Sequence, residues 1–151
     1  KIKYGETGKK LDHLARKPLK EINCNFDHGT GHGVGCFLNV HENPPSISKN
    51  SKIKFEDGMI VSNEPGYYKE NHYGIRIENL ILSKLSNGTI TFKTITIAPF
   101  ERLLIDQSLL TTNEINWVNR YHKRVRNILT PSMNSNERDW LINQTAPLQQ
   151  R

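Results

Sequence analysis

The period of the apolar pattern changes along the chain, and each change marks an element. Residues 89–98, TITFKTITIA, alternate and are rich in β-branched side chains, as a sheet strand requires. Residues 74–82, GIRIENLIL, place Arg76, Glu78 and Leu80 on one face at period two. Strands are predicted around 36–40, 59–63, 75–82 and 89–98. Towards the end the period lengthens: Ile115, Val118, His122, Val125 and Leu129 recur at helical spacing, and Thr111 with Glu114 makes a capping box ahead of them. A short helix over 8–17 is predicted to stop at Pro18, and a last helix around 136–143 offers Trp140 and Leu141 as anchors. Strands and helices together predict an α+β chain. Loops are short, nothing repeats, and no linker divides it.

Length and charge narrow the classes. At 151 residues one domain is expected, large enough to bury ~70% of the surface of its unfolded chain. The formal charge of +6 admits nucleic-acid binding. The densest basic group, Arg120, Lys123, Arg124 and Arg126, falls on the polar side of the predicted helix, and no aromatic RNA-binding motif or zinc finger accompanies it. A solvated helix face is the better account, so no nucleic-acid partner is expected. Two cysteines, Cys24 and Cys36, fit reduced thiols rather than a disulfide scaffold. No stretch approaches the ~20 apolar residues of a membrane span. No membrane partner is expected, and the location anticipated is cytoplasmic.

Chemistry concentrates in residues 27–44, DHGTGHGVGCFLNVHENP, where His28, His32 and His41 are threaded through alternating glycines. Cys24, His28, His32 and Cys36 recur every four residues, which on a helix would make a zinc-type stripe. At about 1.5 Å rise per residue that stripe would run ~18 Å, far beyond the reach of one ion. The same glycines also fit a tightly packed strand with incidental histidines. Two carboxylates follow. Glu64 ends the run GMIVSNEP and Glu78 sits inside the apolar strand of GIRIENLIL, where an unpaired charge is costly. Turn residues over 66–73 make the two runs a hairpin that brings Glu64 and Glu78 together. A metal or Arg76 would relieve the charge.

HGTGHGVG, the VHENP after it, NEPGYY and GIRIEN together resemble the C-terminal catalytic half of aminopeptidase P, the Xaa-Pro aminopeptidase of the pita-bread metallopeptidases. The likeness covers nearly the whole chain: GKKLDHLAR resembles the helix before the family's histidine segment, and WVNRYHKRVRNIL and DWLINQTAPL resemble the tail of its long members. The resemblance implies the C-terminal half of a pita-bread fold over 1–110, with 111–151 a helical extension of the same domain. It implies release of an N-terminal residue that precedes proline, by attack of hydroxide generated at two divalent metal ions, with Mn²⁺ expected and Zn²⁺ or Co²⁺ as alternatives. His32, Glu64 and Glu78 become metal ligands, with Glu78 shared by both ions and Glu64 also the base for the attacking water. His41, nine residues after His32, becomes the acid that stabilises the tetrahedral intermediate. His28, His41 and Tyr68 line the substrate pocket, and Arg76 orients a ligand carboxylate. A homodimer is implied, with Trp117, Tyr121, Trp140 and Leu141 as interface candidates against the plainer reading that they pack the terminal helices.

There is one departure. The family takes two further aspartate ligands from a segment upstream of the histidines, whereas Asp12, Asp27, Asp57, Asp106 and Asp139 are in no such setting. The chain is therefore expected to be a C-terminal fragment, inactive alone. A prolidase-like dipeptidase of the same fold and a non-catalytic pita-bread binding module remain as alternatives.

Overall fold

Alternation in the strands gives one buried apolar face, and strand register decides what stands at the strand ends. A computed structural model describes residues 1–37 and 39–149, and the chain divides into two units, Lys1–Thr96 and Ile97–Arg151. The first unit contains β1 (Ile2–Lys3), α1 (Gly8–Glu21), β2 (Gly31–Val34), β3 (His41–Ile47), β4 (Ile60–Asn63), β5 (Gly66–Lys69), β6 (Tyr73–Arg76), β7 (Asn79–Ser86) and β8 (Thr89–Thr94). Six strands form one sheet in the order β1-β8-β7-β4-β2-β3, and β5 pairs with β6 separately. Ile2, Ile47, Phe55, Val61, Ile81 and Ile90 are buried together, with Leu11, Met59 and Phe92 against them.

Three local expectations change. Helix α1 does not stop at Pro18 but runs to Glu21 with the proline inside it. Pro18 forfeits only the bond to the carbonyl of Leu14, an exposed residue whose oxygen water can serve. The strand expected over 36–40 is not there: β2 lies earlier, on the glycine run itself, and the chain then turns into β3. Leu38, within that range, lies outside the described residues. The shift has a steric cause. A Cβ at Gly31 would stand 1.9 Å from the carbonyl oxygen of Ser62 on β4, and one at Gly33 2.0 Å from that of Glu42 on β3, so only glycine fits between these neighbours. Finally, the last strand stops at Thr94 rather than 98, where the Thr96 side chain accepts the Leu80 N–H at 2.7 Å in place of a backbone carbonyl.

The second unit is helical. Two 3₁₀ turns precede α2 (Thr112–Leu129), and α3 (Ser135–Gln144) follows a third. The predicted capping box of Thr111 and Glu114 is formed. Asn134 and Glu137 make another at α3, a signature present in the sequence but not read there. Ile115, Val118 and Leu148 form one buried cluster, and Tyr121, Val125 and Leu141 another. Tyr121 and Leu141 are therefore core residues, while Trp117 and Trp140 stay about half exposed, at 45% and 53%. Among the described residues no helix is long and apolar enough to cross a membrane.

Candidate metal centre

Register places the carboxylates. Strand β4 pairs with β7 so that Asn63 faces Asn79, and β5 pairs with β6 so that Gly66 faces Arg76. One register runs through both pairs, with Glu64 opposite Glu78 in the gap between them. The ladder breaks there because Pro65 has no N–H to give, and its carbonyl instead accepts the Ile77 N–H at 3.4 Å. The strand predicted over 75–82 is thus two strands, and the 66–73 loop is itself a hairpin.

Strand β2 brings the histidines to the same place. His32 Nε2 lies 3.3 Å from Glu64 Oε1, and His32, Glu64 and Glu78 each offer a ligand atom within 4.8 Å of the others. Among the described residues no other group of three metal-type side chains converges so. His32 Nδ1 stands 2.9 Å from the carbonyl oxygen of Gly33, which assigns the ring proton to Nδ1 and turns the Nε2 lone pair toward Glu64. Two acceptors then face each other, an arrangement that a cation between them stabilises. A nitrogen and two carboxylates are also suitable donors for divalent metals. The residues fit a metal.

A bulge in β3 adds His41. His32 pairs with Ser46 but Val34 pairs with His41, so four residues of β3 stand opposite Gly33 alone, three more than a regular ladder has. His41 comes to the His32 face, with ring centroids 4.2 Å apart. On the hairpin side, Arg76 Nε lies 3.4 Å from Glu78 and 3.9 Å from Glu64. Tyr68 beside it, then Glu78 and Glu64, raise the Arg76 pKa above its ordinary value, so it stays a cation that offsets the repulsion of the carboxylates. The Tyr68 hydroxyl lies 2.8 Å from His28 Nε2. All seven residues singled out in the sequence therefore gather here, whereas Cys24 and Cys36 are free thiols outside the group.

Other residues were missed. Ser62, fully buried, accepts the His32 N–H and donates to Glu64 Oε1, both at 2.9 Å. Its position two before Glu64, on the same strand face, was the available signal. The second omission is the buried pair Asp12–Arg16 on α1, whose spacing of four on a helix was legible. Arg16 Nε donates to both Asp12 oxygens, at 3.0 and 2.9 Å. Its other nitrogens hold Asn25 Oδ1 and the carbonyls of Phe26 and His28, and the guanidinium lies over the Phe26 ring. Thr30 donates its hydroxyl to Asp12 at 2.7 Å and accepts the Glu64 N–H at 2.8 Å on its carbonyl. One ion pair thus fixes the loop that carries His28 and reaches the backbone of Glu64.

Residues 1–84 match the model of metallopeptidase family M24, and residues 88–148 match that of the C-terminal region of peptidase M24. Aminopeptidase P1 of Lotus japonicus is 43% identical over 154 residues, covering 95% of this chain and 23% of the relative. A probable Xaa-Pro aminopeptidase P of Coprinopsis cinerea is 43% identical over 159 residues, covering 95% and 25%. Among solved structures, the X-prolyl aminopeptidase of Caenorhabditis elegans, described as a cytosolic enzyme with a di-nuclear active site, superposes with a TM-score of 0.87 at 36% identity, covering 97% of this chain and 26% of that one. The Xaa-Pro dipeptidase of Bacillus anthracis reaches 0.56 at 39% identity, over 66% and 27%. The chain spans about a quarter of the length of these relatives.

Proposed function

The chain belongs to metallopeptidase family M24, and from that premise we propose that it is the ligand-bearing C-terminal part of an enzyme that releases an N-terminal residue preceding proline. Its fold is the α+β pita-bread fold of these metallopeptidases. The observation that carries the proposal is the convergence of His32, Glu64 and Glu78 within 4.8 Å, in a chain 43% identical to aminopeptidase P1 over 95% of its length.

His32, Glu64 and Glu78 hold two divalent ions in this reading, Mn²⁺ foremost, with two aspartates supplied by a further segment of the polypeptide. When bound, such a pair polarises a scissile carbonyl and lowers the pKa of water toward ~7. Glu64 accepts the proton of the attacking water. His41, against His32 but outside the ligand set, hydrogen-bonds the oxyanion as it forms. His28 and Tyr68, joined at 2.8 Å, wall the pocket that takes the proline ring, and Arg76 holds Glu78 and Glu64 in register. Residues 111–151 extend the same domain. By analogy with the cytosolic worm enzyme the location is cytoplasmic. A homodimer is proposed, with exposed Trp117 and Trp140 in its interface.

A dipeptidase of the same fold is the second reading. It is disfavoured because the dipeptidase likeness covers 66% of the chain while the X-prolyl aminopeptidase likeness covers 97%, tail included. Full-length protein, stripped with chelator and reloaded with Mn²⁺, is expected to cleave Xaa-Pro peptides of three or more residues. Cleavage of Xaa-Pro dipeptides alone would favour the dipeptidase, and no cleavage of either would favour a binding module.

A further inference from the structure

The hydroxyl of Ser62 lies between two groups that leave it no choice of orientation. A backbone N–H can only donate and a carboxylate can only accept. With the His32 N–H on its lone pair and Glu64 Oε1 beside it, both at 2.9 Å, the single hydroxyl proton goes to Glu64. The bond is charge-assisted, and Ser62 is wholly buried, so no water reaches its hydroxyl. The approach that makes this possible comes from Gly31, whose missing side chain lets β2 lie against the Ser62 carbonyl. Strands β2 and β4 share one paired position, Gly33 with Val61, so the Ser62 hydroxyl takes an amide that a longer ladder would have bound through backbone.

We propose that Ser62 is a positioning residue of the metal centre, tying the backbone of His32 to the carboxylate of Glu64 so that the two ligands are presented as one unit. This rests on the reading of His32 and Glu64 as metal ligands. Neither hydrogen bond can be given up without leaving a buried polar group unpaired, so the carboxylate is held toward His32 Nε2 before any ion arrives. The same sheet contains a counterpart away from the site. Ser83, also wholly buried, accepts the Met59 N–H at 2.9 Å and donates to the Glu56 carbonyl at 2.5 Å. It too accepts one backbone N–H and donates to an oxygen, with the Met59 carbonyl as a second acceptor at 3.2 Å, and has no candidate ligand at either end.

The test uses the full-length protein, with Mn²⁺ affinity measured by calorimetry and ligand geometry read from the visible spectrum of the Co²⁺ form. Loss of an outer partner of a metal ligand typically lowers affinity ~10–100-fold. Ser62→Ala is expected to show that loss and an altered Co²⁺ spectrum, whereas Ser83→Ala should keep the parental values. Ser62→Thr and Ser62→Val, matched in shape, isolate the hydroxyl should Ser62→Ala not fold: Thr should bind Mn²⁺ more tightly than Val. Equal affinities for Thr and Val, or equal losses for Ser62→Ala and Ser83→Ala, would overturn the proposal. A parental protein that binds no Mn²⁺ would instead bring down the metal-site reading, and this inference with it.

Discussion

Two sets of buried polar side chains, one in each unit, serve different ends. In residues 1–96, Asp12, Arg16, Thr30 and Ser62 are buried with partners that lead to His28, His32 and Glu64. In residues 97–151, His122 is wholly enclosed. Its Nε2 accepts the Phe100 N–H at 3.0 Å, and its Nδ1 has no hydrogen-bond partner among the described residues. Phe100 in turn stacks on Tyr121, with ring centroids 4.7 Å apart. The first arrangement uses buried polarity to place the candidate ligand atoms, and the second uses it to pin an aromatic cluster. A buried polar group is thus informative through what its partners carry.

The largest expected effect tests whether the first unit holds ligands at all. In full-length protein Glu78→Ala should abolish both metal loading and turnover. His41→Ala should keep its metal and lose turnover by ~10²–10⁴-fold, as befits a proton donor outside the ligand set. Metal analysis of the two purified variants separates them, and equal metal loss would make His41 a ligand.

A second pair of variants sets the units side by side. Asp12→Ala leaves Arg16 buried without its carboxylate and should destabilise by about 3–5 kcal/mol. Leu141→Ala, which opens a cavity in the helical unit, should lose about 2–5 kcal/mol. Denaturant titration is expected to find similar losses, but only Asp12→Ala should also weaken Mn²⁺ binding. If both or neither weaken it, the contrast between the units fails.

These contrasts were unequally legible in sequence. Helix α2 was, because its capping box and its apolar spacing are local signals. Facing of Glu64 and Glu78 was legible too, since period two and the turn residues between them suffice. The position of β2 was not: that Gly31 must clear the Ser62 carbonyl is decided by a residue thirty-one positions away. Continuation of α1 through Pro18 was not legible either, because the one bond it forfeits falls to exposed Leu14, and exposure is decided by tertiary packing. The buried pair and Ser62 obey simple spacing rules, but many exposed pairs do so too, and burial selects them.

The smallest expected effect is a pH dependence from the second unit. Burial, then Arg102 and Arg126, lowers the His122 pKa below its ordinary 6.5. The unfolded chain therefore takes up this proton first as pH falls. Stability from the neutral imidazole is complete above about 6.5 and is lost as pH drops from there toward the lowered native value. His122→Gln can accept the Phe100 N–H but does not titrate, so its stability should fall less between pH 7 and 5 than that of the parent. A parallel decline in the two would show that His122 does not titrate as described.

The central claim is that His32, Glu64 and Glu78 are ligands of one metal centre. Anomalous diffraction from crystals of the full-length protein with Mn²⁺ tests it most directly. Two adjacent peaks are predicted, with His32 Nε2, Glu64 and Glu78 at coordination distance and Glu78 reaching both. Manganese bound elsewhere, or absent from these three side chains in a protein that still cleaves Xaa-Pro peptides, would contradict it.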